Sequence, residues 1–441
     1  MENRYEQYKD SGIAWIGEIP EHWNLALVKS IFNRRTKKNN PILTEERLSL
    51  SIEKGVTLYS EKTTNLDRFK EDFTQYQIAY PNDIVLNSMN MIVGAIGISH
   101  YLGCVSPVYY VIAPKDKNIN VNYYGYLLNN FRIRNLYHAL GEGIYAIDRG
   151  EGRINTCRLK VSYDKFGSII VPIPSINEQQ SIATYLDQKC SEIDELITLQ
   201  EEMITKLQSY KQSVITEAVT KGLDKNVPLK DSGIEWIGEI PEHWEVKRLK
   251  NVCSTNNASL SDKTSKDFEF DYVDIGSVSF ELGIHKTEKY TFQNAPSRAR
   301  KIARLGDIIV STVRTYLRAI DIINSEEKEK YIYSTGFAIL SPSKNILSEF
   351  MIYICRSEYF TNQVSIHSTG INYPSINDTA LKMINIVMPP LPEQQSIANY
   401  LDQKCSEIDE LISIKQQKIE KLKDYKKSLI FECVTGKRKV S

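Results

Sequence analysis

Residues Asp10–Trp23 read DSGIAWIGEIPEHW and residues Asp231–Trp244 read DSGIEWIGEIPEHW, identical at 13 of 14 positions. A second stretch behaves alike: Glu178–Ile197, EQQSIATYLDQKCSEIDELI, returns as Glu393–Ile412 with one change in 20, Thr184 to Asn399. The offsets of 221 and 215 residues make the chain two near-copies of one module laid head to tail. Each module is a signature segment, roughly 150 residues of globular sequence and a long helical stretch. The inserts between the repeated elements diverge almost completely. A duplication that preserved one active site would show the reverse.

The helical stretches carry apolar residues in steps of three and four. In the first these are Ile193, Leu196, Met203, Leu207, Tyr210 and Val214, with Ile197 and Ile204 widening the stripe; in the second, Ile408, Leu411, Ile412, Ile419, Leu422, Tyr425 and Leu429. That is the spacing of a coiled-coil seam. Asn177 suits an N-cap, Pro392 a first helical turn, and Gly222 and Gly436 the stops. Helices of about 43 residues are on the order of 65 Å long. A stripe that long must be buried, and the matching stripe of the other copy is the nearest partner, packed antiparallel with the inserts at opposite ends of a rod. Gln200 and Lys415 interrupt the seam at equivalent positions, as register-fixing polar groups or as solvated positions at its edge.

The expected organisation is a signature segment (1–23), a first insert (24–175), a central helix (176–222), a linker with the second signature (223–244), a second insert (245–390) and a C-terminal helix (391–441). The fold class is α+β: two mixed α/β domains separated by a two-helix antiparallel coiled coil, with an internal pseudo-two-fold repeat. In the first insert the pattern predicts strands at Ile84–Leu86, Ile92–Ile98, Val108–Ile112 and Ser168–Ile173 and a helix over Tyr123–His138. In the second it predicts strands at Asp271–Ile275, Asp307–Val313 and Tyr331–Leu340 and a helix over Leu347–Phe360. Asp83-Ile84-Val85 corresponds to Asp307-Ile308-Ile309, and the run from Ser106 to the run from Ser334, so the inserts read as one fold with different surfaces.

Net charge is zero, from 55 basic and 55 acidic residues, but it is unevenly spread. Asn24–Ile173 holds 19 basic and 13 acidic residues, Glu245–Pro390 holds 18 and 16, and Glu178–Lys225 only 5 against 9. Positive excess therefore lies in the inserts. Asn87, Asn90, Arg149 and Arg153 in the first, with Ser311, Arg314, Arg318, Asn372 and Tyr373 in the second, are residue types that read base edges from loops after strands. Arg34, Arg35, Lys37 and Lys38, with Arg298, Arg300 and Lys301, suit phosphate contacts, which position without specifying.

Seven cysteines without a CxxC pair suggest neither disulfide framework nor zinc knuckle, and fit a reducing cytoplasm. No apolar run approaches a membrane span, and the polar start does not resemble a secretory signal. The phosphate loop GxxxxGK[ST], HExxH, GxSxG and the Asn/Asp-Pro-Pro-Tyr/Phe of amino-methyltransferases are absent. His22 and His243 repeat with the signature, lack metal-spaced partners, and read as part of a packed hook over a helix end with Trp15, Trp23 and the prolines. A rod displaying two protein-binding domains is the alternative, which leaves the basic, arginine- and asparagine-bearing loops unexplained. A nuclease using Asp267, Glu269 and Asp271 is the other, and those carboxylates also fit a solvated strand edge.

The paired DSGIxWIGEIPEHW and EQQ-led helical segments closely resemble the specificity (S) subunit of type I restriction-modification systems, over essentially the whole chain. The resemblance implies two target-recognition domains, each binding one half of a split double-stranded DNA site, and helices that set the spacing between halves. It implies a subunit that is itself non-catalytic, holds no cofactor, and assembles in a bacterial or archaeal cytoplasm with two modification subunits and with restriction subunits. Those partners would supply S-adenosylmethionine-dependent methylation and ATP- and Mg-dependent translocation and cleavage.

Overall fold

A computed structural model describes residues 4–62, 72–144, 158–235, 237–370 and 372–440. The chain divides into two compact units, Met1–Gln200 with Gln417–Ser441, and Glu201–Gln416.

In the first unit four strands, β1 (Phe32–Arg35), β2 (Ile84–Asn87), β3 (Ile96–Ile98) and β4 (Tyr109–Pro114), form an antiparallel sheet in the order β1-β4-β2-β3. Ile84, Val85 and Leu86 are all fully buried, as an uninterrupted apolar strand covered on both faces must be. Two helices follow, α1 (Val121–Asn129) and α2 (Phe131–Leu140), where one helix was expected. The break is at Asn130, whose backbone is extended and whose side chain accepts hydrogen bonds from the backbone N–H of Arg132 and Ile133, capping α2. The long helix α3 (Ile176–Lys221) begins in this unit.

The second unit repeats the plan. Strands β5 (Cys253–Thr255), β6 (Ile308–Ser311), β7 (Ile320–Ile322) and β8 (Phe337–Pro342) take the order β5-β8-β6-β7, the same topology as in the first unit. Helices α4 (Ser348–Arg356) and α5 (Glu358–Ile366) again split an expected single helix, with Ser357 as the cap between them. A second four-stranded sheet, in the order Glu288–Thr291, Glu269–Val273, Ile332–Ser334, Ala299–Ile302, is peculiar to this unit among the described residues. The expected strand Tyr331–Leu340 is divided between the two sheets, because the chain turns at Thr335-Gly336. The long helix α6 (Leu391–Val434) starts here.

Each unit contains part of both long helices. In the first, Lys426 of α6 donates to Asp194 of α3 at 2.6 Å; in the second, Lys211 of α3 donates to Asp409 of α6 at 2.6 Å. The two ion pairs are copies of one another. In the first unit Trp23 meets both Glu178 and Gly436 while Asp194 meets Lys426, and in the second Met203 meets Lys415 while Lys211 meets Asp409, so the packing is antiparallel within each unit. The less exposed stripe runs through Ile193, Ile197, Gln200, Ile204, Leu207, Lys211 and Val214, and through Ile408, Ile412, Lys415, Ile419, Leu422, Lys426 and Leu429; Ile193, Gln200, Val214, Ile408, Ile419 and Leu429 are buried and the others half-buried. The expected seam holds at Ile193, Leu207, Val214, Ile408, Ile412, Ile419, Leu422 and Leu429, whereas Leu196, Tyr210, Leu411 and Tyr425 stand outside it, 43 to 56% exposed; Met203 is half-buried, its Sδ 3.2 Å from Lys415 Nζ. Gln200 is 4% exposed, so it belongs to the interior of the stripe rather than to a solvated edge.

The signature segments tie the helix ends together. In the first unit Trp23 Nε1 donates to Glu178 at 3.0 Å and His22 Nε2 lies 2.8 Å from the same carboxylate, at the start of α3. Pro20 and Trp23 press on Gly436, just past the end of α6, and Tyr123 Oη donates to the carbonyl of Val434 at 2.8 Å. The second unit is built alike: Trp244 and His243 reach Glu393 at 2.9 and 2.6 Å, and Trp244 abuts Gly222 past the end of α3. Both glycines have φ of +74°, the left-handed conformation that ends a helix. Ser175, not Asn177, opens α3: its backbone N–H and hydroxyl donate to Glu178, whose own N–H returns to the Ser175 hydroxyl, a capping box. Partial burial alone would raise the Glu178 carboxyl, yet the donors Trp23, His22 and Ser175 hold it down at about 2.

Candidate nucleic-acid interface

The loops that follow β2 and β6 occupy the same place in their sheets. Asn87 stands opposite Tyr109, and Ser311 opposite Phe337, so Ile84–Ile98 and Ile308–Ile322 correspond residue for residue. Each loop is a single 3₁₀ turn, Met91–Val93 in one unit and Thr315–Leu317 in the other. Asn90 precedes and Gly94 follows the first turn; Arg314 precedes and Arg318 follows the second. Part of the expected strand Ile92–Ile98 is thus turn.

A second segment is hydrogen-bonded to the turn in each unit. In the first unit it is the stretch that follows the strand pair Glu142–Ile144 with Arg158–Lys160; Arg149 and Arg153 lie outside the described residues. In the second it is the bridge between Thr369 and Ser375, whose intervening residues include Asn372 and Tyr373. The Val161 N–H donates to the Ser88 carbonyl at 3.0 Å, and the Ile376 N–H to the Thr312 carbonyl at 2.9 Å, so the same backbone bond joins turn and second segment in both units.

The sequence candidates separate on this frame. Asn90, Asn372 and Tyr373 are exposed, Tyr373 by 66%. Arg314 is exposed with its guanidinium 5.2 Å from the Tyr373 ring centre, and Arg318 is half-buried, 5.8 Å from that of Phe280. Asn87 is buried, and its side-chain oxygen accepts from the N–H of Met89 and Asn90 at 3.1 and 3.3 Å, closing the turn. Ser311 is buried beneath the other turn. These two shape the loops and present no free group to a base edge, which corrects their reading as direct contacts.

Among the phosphate candidates, Lys37 and Arg298 are exposed, and Lys38 donates to Gln75 at 2.8 Å. Arg34 lies between the rings of Tyr110 and Tyr163, 4.9 and 4.8 Å from their centres. Arg300 stacks on Phe292 at 4.7 Å. Two are engaged within the fold. Arg35 donates to buried Asp83 at 2.6 Å, a carboxyl raised by burial against the pull of that same guanidinium. Lys301 donates to Asn256 and to the carbonyl of Phe337, and burial lowers its ammonium. Lys301 is not placed to meet a phosphate, whereas the Arg35 side chain, bonded through Nε, is 37% exposed.

Sequence reading missed Tyr316, 59% exposed at the crest of the second turn, and Arg134, which reaches across from α2 to donate to the Val93 carbonyl at 3.2 Å. The run Arg314-Thr-Tyr-Leu-Arg318, two arginines about an aromatic, is the signal that would have marked Tyr316. Asp271 accepts from Thr287 at 3.3 Å, and among the described residues no group of three His, Cys, Asp or Glu gathers to hold a metal. Nor is any helix among them long and apolar enough to cross a membrane.

Two copies of one frame, each with a braced 3₁₀ turn after the same strand and with different side chains on the two turns, define a protein built from two like domains that differ at one surface loop. The model of the type I restriction modification DNA specificity domain matches residues 16–208 and 241–424, and the chain belongs to that family. It is 28% identical over 284 residues to the type I restriction enzyme MjaVIII specificity subunit of Methanocaldococcus jannaschii, a match covering 62% of this chain and 63% of that relative. In fold it is similar to a chain of a type I R-M system solved in relation to complex assembly and conformational transition, with TM-score 0.68 and 16% identity over 94% of this chain and 98% of that one. It is also similar to the HsdS subunit from Thermoanaerobacter tengcongensis, with TM-score 0.53 and 17% identity over 95% and 98% of the two chains.

Proposed function

We propose that this chain selects the DNA sequence on which a type I restriction-modification complex acts. Each recognition domain reads one half of a bipartite site, and the paired helices set the spacer and dock two modification subunits. The observation that carries this reading is the repeated frame: identical sheet order and identical turn-to-loop bracing, with Asn90 and Gly94 in one copy where Arg314 and Arg318 stand in the other. Selection for a common partner keeps a scaffold; selection for two half-sites varies the loops.

The exposed apolar residues of the helices support the docking role. Leu196 repeats as Leu411, Leu199 as Ile414 and Tyr210 as Tyr425, all outside the less exposed stripe. Two like partners would find like surfaces there. The chain is a specificity subunit without a catalytic step of its own. Methyl transfer with S-adenosylmethionine, and translocation and cleavage with ATP and Mg, belong to modification and restriction subunits in the cytoplasm of a bacterium or archaeon.

The test is to exchange residues 24–173 for the corresponding insert of a relative, co-express each chain with its modification subunit, and map methylated adenines. One half-site changes and the other stays. Change of both halves, or of neither, refutes the reading.

A further inference from the structure

The turn after β6 is held more rigidly than a surface loop needs to be. Thr312 donates to the Gly336 carbonyl through both its N–H and its hydroxyl, at 2.8 and 2.9 Å. Buried Thr315 shares a hydroxyl hydrogen bond with Ser368 at 3.0 Å, and the Ser311 N–H closes the base onto Ala319 at 2.9 Å. On this brace sit Arg314 and Arg318, both left-handed, with φ of +51° and +47°. The described chain has four non-glycine residues at positive φ, and this one turn holds two of them. Strain of that kind persists only where surrounding structure over-determines it, and it gathers at functional sites. Gly94 shows that the Arg318 position accepts glycine, the residue without that strain, so the arginine is there for its side chain.

Neither guanidinium forms an ion pair or a hydrogen bond among the described residues. Each instead lies near an aromatic ring, which limits the tilt of its plane while leaving its N–H donors free. Between them Tyr316 and Leu317 are exposed. Apolar side chains gain nothing beside phosphates but do gain against base edges and thymine methyls. A fixed, planar, unpaired guanidinium flanked by apolar contacts fits guanine, whose O6 and N7 accept both donors of an arginine fork.

On the proposed function, we infer that Arg314 and Arg318 are the specificity-determining residues of the second domain, and that its half-site contains guanine read through O6 and N7. The first domain, with Asn90 and Gly94 in those places, reads its half by other contacts.

The test uses the full chain assembled with its modification subunits and duplexes carrying the mapped site. Replacing guanine by 7-deazaguanine in the second domain's half-site removes the N7 acceptor without altering the protein. Binding by the unaltered complex is expected to fall on the order of tenfold, while the same replacement in the other half-site has no such arginine to offend. Arg314→Gly and Arg318→Gly, substitutions the left-handed backbone accepts, should each lose discrimination at one G·C pair and become indifferent to 7-deazaguanine there. A half-site without guanine, or full-strength binding of the 7-deaza duplex, overturns the inference and leaves a bipartite site intact. Variants that weaken binding equally on every sequence, with a reduced salt slope, would make the arginines phosphate contacts and overturn it too. Absence of any bipartite methylated site would defeat the proposed function itself.

Discussion

Glu178 and Glu393 each hold two elements at once, receiving an indole N–H and an imidazole from a segment about 150 residues distant and opening a long helix. Glu178→Gln keeps the shape and loses the charge, and charge-assisted hydrogen bonds of this kind contribute about 1.5–3 kcal/mol. The folded carboxyl titrates at about 2 against an ordinary 4.5, so the wild-type advantage is complete above about 4.5 and disappears as pH falls toward 2. Thermal melts of both proteins at pH 7, 4 and 3 should show the gap narrowing on acidification; a constant gap would mean the carboxylate is not the stabilising form. Gly436→Ala forces a Cβ onto Pro20 and Trp23 as well as into a left-handed backbone, whereas Gly12→Ala, at φ of +69°, meets nothing within 4 Å. The second should cost about 1 kcal/mol and the first clearly more, read as melting temperatures. That a hook existed was legible from the repeated tryptophan, histidine and prolines. That it lies over a helix end was read too; the carboxylate it grips was not, because no local pattern names a partner so far along the chain, although Ser175-x-x-Glu178 was there to be read as a capping box.

At the scale of the helices, most of the expected seam holds, and Leu196, Tyr210, Leu411 and Tyr425 fall outside it for a physical reason. A chain of steps through Leu196, Met203 and Tyr210 meets only apolar residues, while the less exposed stripe passes through Gln200 and Lys211. Hydrophobicity favours the first path. Packing chooses the second, because Lys211 and Lys426 lay their apolar stems along the partner helix and deliver their charges to Asp409 and Asp194. Ile419→Ala should therefore cost about 2 kcal/mol or more, and Leu196→Ala within about 0.5 kcal/mol, in urea or thermal unfolding. Equal costs would restore the other phase. Lys211→Glu should destabilise by about 1 kcal/mol through repulsion of Asp409, and Asp409→Lys in the same chain should recover most of it.

For the whole molecule, duplication is the organising fact. Seven residues inserted at equivalent points of α3 and α6 preserve the heptad and add about 10 Å of helix, close to three base pairs. The expected outcome in methylation maps is unchanged half-sites with a longer unspecified gap; altered half-sites would show that helices and loops are not independent. The α+β class, the two inserts and the long helices could all be read from the chain, since repeats and periodicity are local properties of a sequence. So could the suspicion that arginine and asparagine loops meet DNA. What the tertiary structure alone decided was which of those side chains are free. Asn87, Ser311 and Lys301 have the right chemistry but are consumed by turns and buried partners, whereas Arg314 and Arg318 are held out on a braced, left-handed turn. Composition sets what a residue can do, but availability depends on neighbours brought close by the fold from dozens or hundreds of positions away.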